Sequence, residues 1–277
     1  MIKFGINSSV CAHPDYLRHF DAVTLGTYAA IPIETQRAQY AAIRKAGKSV
    51  YLHPGVYAHP DEGVRTPAEG EDCYEYLDRL RVEFPQATGC DAVNEPWHQP
   101  PTCAGGAVGL FDHAAGYWPE IRINEYGILD GEIFNAWLSI LRMIPDLYDA
   151  VGVQAHVAYH IATAGGYDMA TVSRNLKALV ALGKPVHVTE ISVPSAGNGW
   201  TESMQASYIR EFYNVCINAG VSNITYWDLC DAGAWNPSSG LLHDDGTPKA
   251  AWYTLKSIMD AQRKPPKPVR RWWQWWR

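Results

Sequence analysis

A closed barrel of eight parallel strands, each followed by a helix, is the fold that this 277-residue sequence predicts. Three observations carry the prediction of this (β/α)8 TIM barrel, a member of the α/β class. Short apolar runs recur roughly 20 to 40 residues apart, the span of one strand–helix unit. The intervals between them carry helical periodicity. Each run ends in polar or aromatic residues. Hydrophobic residues make up 47% of the chain and charged ones 19%, which suits a large core and excludes a wholly disordered or coiled-coil protein.

The strands are expected in order at Ile2–Ile6, Ala22–Leu25, Ser49–Leu52, Cys90–Val93, Ile121–Ile123, Ala150–Val153, Pro185–Thr189 and Asn223–Trp227. A helix from Glu34 to Ala46 is closed by Gly47, and one from Glu202 to Ala219 by Gly220. Phe134, Trp137, Leu138, Leu141 and Ile144 share one helical face, as do Val172, Leu176, Leu179 and Val180 ahead of Gly183. An open doubly wound sheet is the alternative. It is weakened by the lack of a glycine-rich phosphate loop after the first strand.

The sequence divides at residue 260. The last 17 residues hold six bases and no acid, which leaves −12 on the first 260 residues and +6 on the tail. The barrel is expected at 1–260 and a Pro-rich linker with a cationic tail at 261–277. An acidic body does not suit nucleic acid. No run of 18 apolar residues marks a membrane-spanning helix. Cys11, Cys73, Cys90, Cys103, Cys216 and Cys230 form no CxxC motif; one pair could oxidise, and the sequence does not say which. The first residues read as a strand and not as an export signal.

In such a barrel the chemistry sits at the C-terminal ends of the strands. The fourth ends Val93-Asn94-Glu95-Pro96 and the seventh Val188-Thr189-Glu190-Ile191, so two glutamates stand on one rim. Paired carboxylates serve glycosidic hydrolysis when one is protonated and the other ionised. Read singly, an Asn-Glu-Pro is a turn and a Thr-Glu a strand end.

Further segments follow in order: Ile123-Asn124-Glu125-Tyr126, Gly152-Val153-Gln154-Ala155-His156, Tyr226-Trp227-Asp228-Leu229 with Asp231 and Trp235, and Pro248-Lys249-Ala250-Ala251-Trp252. With the two glutamates they resemble glycoside hydrolase family 10, the xylanase-like retaining family, across essentially residues 1–260. The resemblance implies a (β/α)8 endo-1,4-β-xylanase-like enzyme that degrades polysaccharide by double displacement without cofactor or metal. Glu95 would be the acid/base and Glu190 the nucleophile, with carboxyls about 5–5.5 Å apart. Asn94, His53, Asn124, Tyr126, Gln154, His156, Trp227 and Trp235 would bind substrate or support the site. The resemblance favours an extracellular protein, and a monomer is the favoured state.

His53 and His156 could instead be satisfied rim histidines, and Trp227 plain core. His156 and His160 stand four apart, but a zincin motif would need Glu where Val157 stands. The departures from the family lie on the glycone side. Thr24-Leu25-Gly26-Thr27-Tyr28-Ala29 offers no carboxylate, amide or ammonium, and Tyr57-Ala58-His59 replaces a Trp-His pair. The glycone subsite is therefore expected to differ from the family's. Arg270 to Arg277 places four Trp among Arg, a composition suited to an anionic membrane or cell-wall surface, or to a tail that is mobile or docked on the barrel. Two further readings stand beside the xylanase one. The first is a hydrolase of a cell-envelope glycan guided by the tail. The second is a non-catalytic glycan-binding barrel, disfavoured because both carboxylates are present.

Overall fold

The computed structural model describes residues 2–131, 133–157 and 166–264. Eight parallel strands close into a barrel in sequential order. They are β1 (Lys3–Asn7), β2 (Ala22–Gly26), β3 (Ser49–His53), β4 (Gly89–Asn94), β5 (Ile121–Glu125), β6 (Ala150–Gln154), β7 (Val186–Ile191) and β8 (Asn223–Tyr226). The helices are α1 (Pro14–Leu17), α2 (Ile33–Lys45), α3 (Cys73–Glu83), α4 (Gly106–Ala114), α5 (Phe134–Met143), α6 (Met169–Val180), α7 (Glu202–Ala219) and α8 (Ala250–Arg263). The predicted class and all eight strands are present. The described chain passes residue 260 as helix, and the cationic Trp-rich tail and His160 lie outside the described residues.

The differences in element bounds have local causes. β3, β4, β5 and β6 run on into His53, Asn94, Glu125 and Gln154, because ladder hydrogen bonds hold polar residues as readily as apolar ones. β7 begins at Val186, since Pro185 has no N–H to give. α5 stops at Met143 and Ile144 leaves the helix, as a residue before proline does. α6 starts at Met169, ahead of its first buried apolar residue, because the Asp168 carboxylate accepts from the Ala170 and Thr171 N–H groups. Asp72 caps α3 and Thr201 caps α7 in the same manner.

The helices bury one face each against the outside of the strands. α5 buries Phe134, Trp137, Leu138 and Leu141. α7 buries Ile209, Phe212, Tyr213 and Cys216 and ends at Gly220 in the left-handed conformation. All six cysteines are free.

Between β3 and β5 the barrel holds charge as well as hydrocarbon. Arg122 on β5 donates through Nε to Asp91 Oδ1 at 2.8 Å and through an Nη to Oδ2 at 3.0 Å, with both residues fully buried. The guanidinium lies 4.2 Å from the centre of the Tyr51 ring on β3. Burial pushes the Asp91 carboxyl upward, but Arg122 and then His53 outweigh it and hold the group below its ordinary range. After His53 the chain stays against β4: Gly55 and Val56 N–H donate to the Asp91 and Ala92 carbonyls, and Asn94 N–H donates back to Val56. A Cβ on Gly55 would meet the Ala92 carbonyl oxygen at 2.5 Å, so only glycine permits this approach.

Asp91→Asn leaves Arg122 without its bidentate counter-charge and should destabilise the fold by about 3–5 kcal/mol at neutral pH. The native carboxylate, depressed in the folded state, contributes fully above its unfolded value of about 4 and loses that contribution as the pH falls through its lower folded value. Urea unfolding should therefore show the deficit shrinking at acid pH; a pH-independent deficit would mean that charge is not its cause.

Candidate active site

Glu95 follows directly on the end of β4, with its backbone in the left-handed region at φ 52°. A non-glycine residue there is strained by roughly 1 kcal/mol or more, so the surroundings must impose it. They do so from both sides. Glu95 N–H donates to the Asn124 carbonyl at 2.9 Å, and Gln99 N–H donates to the Glu95 carbonyl at 2.7 Å. The turn directs the buried Glu95 side chain into a ring of donors. Gln154 Nε2 donates to Oε1 at 2.8 Å and Asn94 Nδ2 to the same oxygen at 3.2 Å. The Tyr57 hydroxyl donates to Oε2 at 2.8 Å.

Glu190, near the end of β7, is surrounded differently. Asn124 Nδ2 donates to its Oε1 at 3.1 Å. His53 Nε2 lies 3.4 Å from Oε1 and His156 Nε2 3.0 Å from Oε2. Burial pushes this carboxyl upward, but the charge of His53, then the hydrogen bond and charge of His156, hold it below the ordinary glutamate range. Reciprocally, burial lowers His53, but Glu190 and then Asp91, which meets Nδ1 at 2.8 Å, raise it above an ordinary imidazole. His53 thus lies buried between two carboxylates that favour its protonated form, and Arg122 completes the line on the far side of Asp91.

The two glutamates are joined by amides. Asn124 Nδ2 also donates to Asn94 Oδ1 at 2.7 Å, and its own Oδ1 accepts from Thr189 Oγ1 at 2.6 Å. These contacts fix the orientation of both side-chain amides. His156 Nδ1 pairs with Ser192 Oγ at 2.8 Å. Around this centre stand the aromatics. Trp227 is buried, with its ring edge-on to His53 and His156. Trp235 is 58% exposed beside His156, with ring centres 4.6 Å apart. Tyr126 is 39% exposed and stacks on His98 at 3.8 Å, next to the 40% exposed Trp97.

The structure therefore brings Asn94, Glu95, Asn124, Gln154, His53, His156 and Glu190 into one hydrogen-bonded cluster, with Trp227 against its two histidines. Tyr126 and Trp235 stand at the periphery. Sequence reasoning missed Asp91, Arg122, Tyr57, Thr189 and Ser192 as parts of the site. The signal for the first two was available: an acid and a base inside otherwise apolar strands. Glu125 accepts from Trp97 N–H at 2.8 Å and Tyr126 N–H at 3.0 Å and pairs with His98, so it holds the rim loops together. Among the described residues no cluster of three or more His, Cys, Asp or Glu has a geometry that could hold a metal ion.

Comparison with known proteins points the same way. The sequence pattern of glycosyl hydrolase family 10 matches residues 111–258, a stretch that includes Glu190 but begins after Glu95. A curated relative, endo-1,4-beta-xylanase B of Cellvibrio japonicus, is 28% identical over 226 residues, 76% of this chain. The chain spans only 36% of the length of that relative. In structure it is similar to xylanase 10B of Thermotoga maritima, with a TM-score of 0.72 and 17% identity over 94% of this chain and 95% of the other. It is also similar to the Clostridium thermocellum xylanase 10B, with a TM-score of 0.74 and 15% identity over 95% of this chain and 66% of the other. The matched pattern covers just over half of the sequence, from α4 into α8, and on that ground the chain belongs to glycosyl hydrolase family 10.

Proposed function

We propose that the protein is a retaining endo-β-glycosidase of the endo-1,4-β-xylanase type, with Glu190 as nucleophile and Glu95 as acid/base. The observation that carries this reading is the unequal treatment of the two carboxylates. Glu190 is kept ionised by His53 and His156, whereas Glu95 faces only neutral donors. An ionised Glu190 attacks the anomeric carbon as Glu95 gives its proton to the departing glycosidic oxygen. The Glu95 carboxylate then takes a proton from water as the water oxygen bonds to the anomeric carbon, and the bond from that carbon to Glu190 breaks with its electron pair returning to the carboxylate. One hydrogen of the Asn94 amide goes to Glu95, and the other is available for a sugar hydroxyl beside the reacting carbon. Trp227 and Trp235 offer rings to the apolar faces of sugars.

The xylanase names of the relatives support a β-1,4-xylan substrate. A second reading changes only the glycan. The chain after β2 presents a half-buried Tyr28 and no charged or amide side chain, and this altered segment together with the cationic tail would suit a cell-envelope glycan.

Reducing-sugar release from xylans, mixed-linkage glucan, arabinogalactan and purified bacterial wall, with Glu190→Gln as the blank, separates these readings. Release from xylan that is abolished in the variant is the expected result. Release from wall or arabinogalactan alone transfers the assignment to the second reading, and tight binding without turnover overturns both. The pH profile supplies a further check. Removing the His53 imidazole lets Glu190 hold its proton to higher pH, so His53→Asn should move the acidic limb of kcat/KM upward. An unmoved limb would remove His53 from this role.

A further inference from the structure

We infer that Tyr57 is a positioning residue for the acid/base: its hydroxyl directs the transferable proton of Glu95 onto Oε2 and stabilises that oxygen as the proton leaves. The inference rests on the retaining-glycosidase reading given above.

The two oxygens of Glu95 are not equivalent. Oε1 receives Gln154 Nε2–H at 2.8 Å and Asn94 Nδ2–H at 3.2 Å. Amide N–H groups only donate, so a proton on Oε1 would confront two donors. Oε2 receives the single Tyr57 hydroxyl at 2.8 Å. A protonated Oε2 keeps a lone pair for that bond, so Oε2 is the oxygen that carries the acid proton.

The donor is held firmly. Tyr57 N–H donates to Thr66 O at 2.8 Å and Thr66 N–H returns to Tyr57 O at 3.0 Å, while the residue before it pairs with β4. The ring is buried, and the phenol stays protonated because burial and the Glu95 charge both oppose its ionisation.

In the first step the Oε2–H bond breaks and an O–H bond to the glycosidic oxygen forms. The carbon–oxygen bond breaks with its electron pair going to that oxygen, and Glu190 bonds to the carbon. Negative charge grows on Oε2 throughout. The Tyr57 bond therefore strengthens toward the transition state, and only where proton transfer is needed.

The test is kcat/KM of the unchanged chain and of Tyr57→Phe on dinitrophenyl, nitrophenyl and phenyl β-xylobiosides. The phenylalanine keeps the ring and removes the donor. A dinitrophenolate needs little acid assistance, so its value should change less than about twofold, while the phenyl glycoside should lose about tenfold or more. Equal losses on all three would mark a merely structural residue, and no loss on phenyl would remove Tyr57 from proton transfer; either result overturns the inference. If the unchanged chain prefers another sugar, the same series on that sugar reads the same slope, and the xylan assignment fails while this inference is still decided. A chain inert on every series overturns both.

Discussion

The buried pairing of Arg122 with Asp91 is the constraint on which the site is built. Two charges are withdrawn from water inside the barrel, a cost that only near-ideal geometry offsets. Both guanidinium contacts fall within 3.0 Å, and the second Asp91 oxygen also meets His53 Nδ1 at 2.8 Å. Asp91 can favour the protonated form of His53 because Arg122 holds Asp91 below its ordinary carboxylate range. His53 then faces Glu190. Glu190, the proposed nucleophile, is therefore reached from Arg122 through residues of β5, β4 and β3 by a line of paired side chains. The arrangement makes stability and chemistry inseparable at these positions.

Glu95, the proposed acid/base, is placed by a different kind of constraint. Among the described residues its carboxyl meets no cation, and its position is set by backbone. The left-handed turn at Glu95 is imposed by hydrogen bonds from its own N–H and to its own carbonyl. The neighbouring segment 55–57 reaches β4 only because Gly55 carries no side chain. The outcome is one carboxylate controlled by charge and one controlled by oriented neutral donors.

Most of the barrel was legible because apolar strand runs and helical faces have different periods. The rim glutamates were legible because both ended such runs. Strand ends were less so: His53, Asn94, Glu125 and Gln154 continue the ladder although nothing in their composition signals a strand. Ile144 was read as helical from its spacing, and the proline after it was the stronger signal. Asp91 and Arg122 were passed over because a charge in a buried strand makes sense only beside its partner, and that partner lies on another strand. Tyr57 was noticed only as a departure from a familiar pair. Its donor role depends on where its hydroxyl lands, which no spacing in one segment can specify.

The departures and the retained residues divide by location. The strand-four, strand-six and strand-seven ends carry the carboxylates, their amides and His156. The chain after β2 and β3 offers hydroxyl and ring groups instead: Thr27, Tyr28 and Tyr57. Thr27 is already committed, since its N–H and hydroxyl donate to the His53 and Pro54 carbonyls and its own carbonyl accepts from Tyr76. Tyr57 is committed to Glu95. Tyr28 packs its ring edge-on against His53 at 5.8 Å. This side of the cleft is thus spent largely on supporting the catalytic groups, and Tyr28 stands beside them as a ring without charge. Under the glycosidase reading proposed above, sugar selection on that side rests on shape and stacking, with directional hydrogen bonding concentrated at the two glutamates and the amides between them.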